Sequence, residues 1–414
     1  MVPAATIAQW VKNAVEQTAV HDLHTHLFPP SFKKLVLWDI DDLLTYHYLI
    51  AETLRLSDIS YEAYWGMTKA QQAQHIWQTL FVENPPLSEA CRGILTVLSK
   101  LGIDTSTRDL GAIRRHFPAS EMQRFFDRTF QVANCSGVVM TNDPLDPVER
   151  EYWQSGTEVD PRFKTALRID RILLDWPAVA KDVSDLGYRV SGDISGQTTA
   201  EVRRFLEDWV KRIKPLYVAC SLSPTWRYPD DNVTTRILDQ CVLPVAREHN
   251  LPMALMVGVT RGTNPQLRLA GDAVGKSDIT SIHRICATNP RNKFMCTMLA
   301  RENTHELAVA ARKHRNLLVF GCWWFLNNPS LIEETTRMRI ELLGPSFVPQ
   351  HSDARVLLQL IYKWDHSRTV LAKVLTDKFV DLAATGWNVT QNEVTSAAKG
   401  YLAGQFQRFI DMKI

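Results

Sequence analysis

Ala19-Val20-His21-Asp22-Leu23-His24-Thr25-His26-Leu27-Phe28-Pro29-Pro30 is a short apolar run carrying three histidines and an aspartate, stopped by two prolines. Residues two apart on a strand share a face, so Asp22, His24 and His26 are expected to point into the interior of whatever the strand builds. Neighbouring same-face imidazoles, about 6.6 Å apart along the strand, can converge on one ion. Two ordinary core histidines are the bland alternative. Pro29-Pro30 weakens it, because the prolines end the strand at once and leave both rings near its C-terminal end.

Working outward, short β-rich runs recur at residues 19–27, 137–142, 165–170, 216–223, 252–259, 293–299, 316–324 and 347–353. Between most of them lie stretches of helical periodicity, such as 199–213, 236–249 and 303–314. Strands alternating with helices pair in parallel, and eight such units point to an α/β fold of the (β/α)8 TIM-barrel type. The rhythm breaks once. From residue 29 to 134 there is no strand pattern, only helical ones at 41–56, 69–81, 88–101 and 120–132. The expected organisation is a barrel built from residues 1–28 and 135–414, with residues 29–134 as an all-helical insertion over its mouth.

With 47 basic and 45 acidic residues well mixed along the chain, no basic stripe could track phosphates, and nucleic acid is not an expected partner. The seven cysteines are scattered without a Cys-x-x-Cys pair, which argues against a disulfide scaffold and a cysteine zinc site. Residues 1–20 read as an amphipathic helix rather than a signal peptide, and the longest apolar runs are too short to span a bilayer. A cytoplasmic protein without a membrane partner is expected, and a homo-oligomer.

A second cluster, Gln350-His351-Ser352-Asp353-Ala354-Arg355, ends the eighth candidate strand. Taken alone, Asp353 reads as the N-cap of a helix over 354–364. Barrel closure would make the first and last strands neighbours, however, and bring Asp353 to His24 and His26 as a third metal ligand. The ends of the fifth and sixth strands hold Thr260-Arg261 and Leu299-Ala300-Arg301 instead of further histidines, which favours a single catalytic ion.

His-x-His on the first strand with Asp on the eighth resembles the amidohydrolase superfamily, and within it the chain resembles the uronate (glucuronate) isomerase family. The likeness runs through Leu37-Trp38-Asp39-Ile40-Asp41, Leu44-Thr45-Tyr46-His47-Tyr48, Leu167-Arg168-Ile169-Asp170, Phe320-Gly321-Cys322-Trp323-Trp324-Phe325 and His351-Ser352-Asp353-Ala354-Arg355. It implies interconversion of D-glucuronate with D-fructuronate and of D-galacturonate with D-tagaturonate, with one divalent ion, zinc by expectation, on His24, His26 and Asp353. It also implies that His47 and Asp353 help open the sugar ring and that Tyr48 takes part in proton transfer. Without it, His47 and Tyr48 read as core residues of a helix. Whether Tyr48 or Asp353 takes the C2 proton stays open, since a phenol serves as base only where a nearby cation favours the phenolate.

The substrate implied is a small hexuronate, whose carboxylate suits arginine. Arg168, Arg261 and Arg355 end the third, fifth and eighth strands and should share one mouth; Trp323 and Trp324 end the seventh, one expected in the core and one on the sugar pocket. Two features depart from the family pattern: His21, to which no role is assigned, and Ala219-Cys220-Ser221-Leu222-Ser223, where longer members carry an Asp-His element. A mononuclear metal-dependent hydrolase is the alternative reading, and a catalytically silent sugar-acid binder a third. The missing histidines weigh against the hydrolase; the intact set of His24, His26, His47, Tyr48 and Asp353 weighs against the binder.

Overall fold

The computed structural model describes residues 2–414. Its main sheet is parallel and takes β1 (Val20–Thr25), β2 (Cys135–Asn142), β3 (Phe163–Arg168), β4 (Val218–Leu222), β5 (Met253–Val257), β8 (Phe294–Met298) and β9 (Leu317–Val319) in that order. A small antiparallel pair, β6 (Val259–Thr260) and β7 (Ala273–Val274), comes between β5 and β8 in the chain. The architecture is α/β with one curled, seven-stranded parallel sheet among the described residues.

The strand sequences explain this arrangement. In β5, Met253, Leu255 and Val257 pack with the helices outside, whereas Ala254 and Met256 join Leu23, Val139, Ala166, Ala219, Met295 and Leu318 in a separate inner cluster. A strand buried on both faces needs an unbroken apolar run, and the period of two divides that run between two cores. Phe406, Phe409 and Ile410, from the helix Gln405–Asp411, pack against the inner cluster.

The expected eighth strand is reduced to one parallel bridge, Phe320 with Val348. Pro349 has no N–H to continue a ladder, and Asp353 takes a left-handed φ of 51°. The segment still reaches β1: Asp353 N donates to His24 O at 3.1 Å, and His26 N donates to Ala354 O at 2.7 Å. Nor does a helix begin at Ala354. It starts at Gln359 and runs to Ala384, so Asp353 caps no helix, and the Gln359 side chain accepts from the Arg355 and Val356 amides instead.

Between β1 and β2 the regular elements are all helical. The helix expected over 41–56 is broken into Ile40–Leu44 and His47–Leu56 by an extended Tyr46 with ψ 145°. Thr45 Oγ1 donates to Asp41 O at 2.7 Å, closing the first helix early. The break places Tyr46 and His47 at the start of a helix instead of inside one. No described helix is long and apolar enough to cross a membrane, and all seven cysteines are buried and unpaired.

Candidate active site

β1 does not keep the simple alternation. Asp22 pairs with Val138 but Thr25 with Met140, so β1 carries one extra residue in a bulge. The bulge removes Asp22 from the histidine face expected of it. Its carboxylate instead accepts from Ser352 N at 3.2 Å and Trp364 Nε1 at 2.8 Å, and burial pushes its pKa up to about 6. His24 and His26 stay together at the strand end.

There the ligand atoms of His24, His26 and Asp353 all lie within 4.8 Å of one another. Asp353 Oδ1 stands 3.6 Å from His24 Nε2 and 3.3 Å from His26 Nε2. His24 is 2% and Asp353 7% exposed, and neither His24 Nε2 nor Asp353 Oδ1 has a hydrogen-bond partner. Buried polar atoms without partners need a reason, and a cation between them is one.

The surrounding hydroxyls fix the same arrangement. Tyr217 Oη donates to Leu23 O at 2.8 Å and lies 2.9 Å from His24 Nδ1. Its proton is committed, so His24 must donate from Nδ1 and carry its lone pair on Nε2. Thr141 repeats the device, donating to Thr25 O at 3.2 Å while standing 2.7 Å from His26 Nδ1. Such partners set the tautomer of metal-binding histidines. Burial pushes both imidazoles below their usual range. Burial opposes the charge on Asp353, but the adjacent His26 and the other imidazoles around it outweigh that and hold it well below the usual carboxylate range. Two neutral imidazoles and a carboxylate fit a divalent ion.

These groups line a cavity of about 270 Å³. Arg168, Arg261, Arg355, His47, Trp323 and Trp324 all line it. The arginines differ. Arg168 Nε donates to Asp170 at 2.8 Å, and Arg261, 57% exposed, pairs with Asp272. Arg355 makes no ion pair among the described residues. Trp323 packs into the inner core cluster, and Trp324 sets its ring edge-on to His47 at 5.3 Å. Burial, then Arg355, pushes His47 down to about 3, so it is a neutral imidazole.

Tyr48 is not part of the cavity lining; Tyr46 is. The Tyr48 ring lies 4.4 Å from that of His47, and its hydroxyl is buried without a partner. Burial raises the Tyr48 phenol well above its usual range. The cavity also includes Thr141, Asp170, Ser221 and Asp272, none of which had been assigned from sequence. Asp170 stands inside a quoted family motif, and Ser221 inside the quoted stretch 219–223 that departs from the family pattern. His21 stays outside the site, its ring 6.5 Å from Phe406.

The chain is 48% identical to a uronate isomerase of Bacillus halodurans C-125, over all of this chain and 98% of that one, with a TM-score of 0.98. It shares its fold with a uronate isomerase of Thermotoga maritima (16% identity over 98% of this chain and 97% of that one, TM-score 0.76). The same holds for a glucuronate isomerase of Caulobacter crescentus (15% identity over 99% of this chain and 94% of that one, TM-score 0.69). No family model and no curated protein matches the chain.

Proposed function

The chain belongs to the uronate isomerase family, and from that membership we propose how its own residues carry the reaction. It is an isomerase of hexuronates. We take its reactions to be D-glucuronate with D-fructuronate and D-galacturonate with D-tagaturonate. The carrying observation is the convergence of His24 Nε2, His26 Nε2 and Asp353 Oδ1 in the wall of a cavity that His47 and Arg355 also line.

We read the architecture as a closed (β/α)8 barrel of residues 1–28 and 135–414 with residues 29–134 as a helical insertion over its mouth. The support is the hydrogen bonding of residues 353 and 354 to β1, together with Tyr46 and His47 of the inserted span in the cavity wall.

In the overall reaction C2 loses a proton and C1 gains one, while the hydroxyl proton passes from O2 to O1. The aldehyde becomes an alcohol and the C2 alcohol a ketone, with atoms and electrons conserved. His24, His26 and Asp353 would hold the ion. When bound, a divalent ion such as zinc supplies a Lewis acid that favours negative charge developing on the sugar oxygen. Arg355, free of any protein carboxylate, receives the uronate carboxylate; Arg168 and Arg261 add positive potential from salt bridges already made. Neutral His47, with Asp353, relays the proton that opens the ring, and Trp324 backs the sugar. Tyr48 carries the proton between C2 and C1; its support is a ring 4.4 Å from that of His47 and a buried hydroxyl without a partner.

A proton NMR time course of the zinc-loaded enzyme with D-glucuronate in D₂O tests this. The 2-ketose should appear, with solvent deuterium at C1 to the extent that the carried proton exchanges. No ketose from either glucuronate or galacturonate would sink the proposal, and release of a hydrolysis product from a sugar lactone would favour the hydrolase.

A further inference from the structure

Lys363, in the helix Gln359–Ala384, is 3% exposed, and its ammonium group has no hydrogen-bond partner. The contrast with Lys293, also buried, is direct: that ammonium donates to the carbonyls of Phe409, Ile410 and Met412 at 3.3, 2.6 and 3.0 Å. An unpaired buried ammonium is costly, and a methionine would fill similar space without that cost. The charge therefore calls for a use.

The Lys363 ammonium lies over the Tyr48 ring, with Nζ 5.8 Å from the ring centroid. Asp22 on β1, Glu89 on the helix Glu89–Lys100, Asp353 and His351 on the closing segment, and His47 beside Tyr48 all lie within its electrostatic reach. Tyr46 and Tyr362 complete the titratable groups around the Tyr48 hydroxyl. None forms an ion pair with Lys363. A phenolate spreads its charge into the ring, so a cation over the ring attracts the phenolate more strongly than the phenol.

We propose that Lys363 is a positioning residue whose buried ammonium makes Tyr48 a better proton acceptor during isomerisation. This rests on the reading of Tyr48 as the group that carries the proton. Burial drives the Tyr48 phenol up, the wrong way for a base, and also lowers Lys363, whose charge Asp353, Asp22 and Glu89 favour; the charged lysine works against the drift of the phenol.

The test is Lys363→Met in the metal-loaded enzyme acting on D-glucuronate, with Lys363→Arg beside it. One charge at this separation, at an effective dielectric of about 20, is worth roughly a hundredfold in kcat, while KM should move less than about threefold. The rising limb of the kcat–pH profile should shift up by about two units, Lys363→Arg should restore most of the loss, and Tm should not fall. Wild-type kcat in Lys363→Met overturns the inference, as does an unmoved limb at any rate, which would mark a structural role. Tyr48→Phe separates the two layers. Full turnover in Tyr48→Phe removes the Tyr48 reading itself, whereas an inactive Tyr48→Phe with a fully active Lys363→Met removes only the role of Lys363.

Discussion

The hydroxyl of Tyr217 stands 2.9 Å from Nδ1 of His24 while its own proton goes to the carbonyl of Leu23. One phenol thereby decides which nitrogen of His24 is free for an ion. Tyr217→Phe removes only that decision, since the ring keeps its place in the inner core. Divalent-ion affinity should fall about 10- to 100-fold, as measured by competition with a chromophoric chelator. Unchanged affinity would mean that the tautomer is set elsewhere.

Asp353→Asn keeps the shape and removes the anionic ligand. Bound metal should drop below stoichiometric amounts, and turnover should fall on the order of 1,000-fold. Wild-type turnover in this variant would refute the assignment of the metal site.

Arg355 and Arg261 should separate kinetically. Arg355→Ala leaves a substrate carboxylate without its partner and should raise KM by about 10- to 100-fold. Arg261→Ala should raise it less, because that guanidinium already serves Asp272. A larger effect at Arg261 would reverse the proposed orientation of the sugar.

Gly321 adopts a φ of 67°, and a Cβ there would come within 1.9 Å of His351 Cδ2. The backbone and the imidazole cannot both stay. Gly321→Ala should lose more than about 2 kcal/mol of stability, read from urea unfolding. A neutral result would mean that His351 moves freely.

Glu149 sets a pH dependence. It is 3% exposed, accepts from Asn142 Nδ2, Asp143 N and Trp153 Nε1, and burial pushes it up to about 7 from 4.5. The folded state therefore holds this proton more tightly than the unfolded state. Its contribution is full below pH 4.5 and is lost as pH rises through about 7, at most about 3 kcal/mol. Glu149→Gln should flatten that part of the stability curve, and an unaltered slope between pH 4.5 and 7 would show that Glu149 does not carry it.

Periodicity made the parallel strands legible because residues such as Met253 to Val257 are buried on both sides. Motif spacing did the same for the cluster that could hold an ion, because His24 and His26 stand at the end of β1 and Asp353 follows the last apolar run. What escaped was set by single backbone irregularities. The bulge that turns Asp22 away and the extended Tyr46 that splits a helix leave no trace in an apolar pattern. Tyr217 and Thr141 escaped for another reason: their roles depend on where a second donor proton goes, which only three-dimensional contacts reveal.

The main-chain bonds from Asp353 N to His24 O and from His26 N to Ala354 O carry one more implication. The segments that carry the three candidate ligands are stitched together by backbone, not merely brought near by flexible side chains. Little conformational freedom is left for an incoming ion to remove, so the site is preorganised, and ion selection rests on ligand type and spacing more than on the protein closing around its guest.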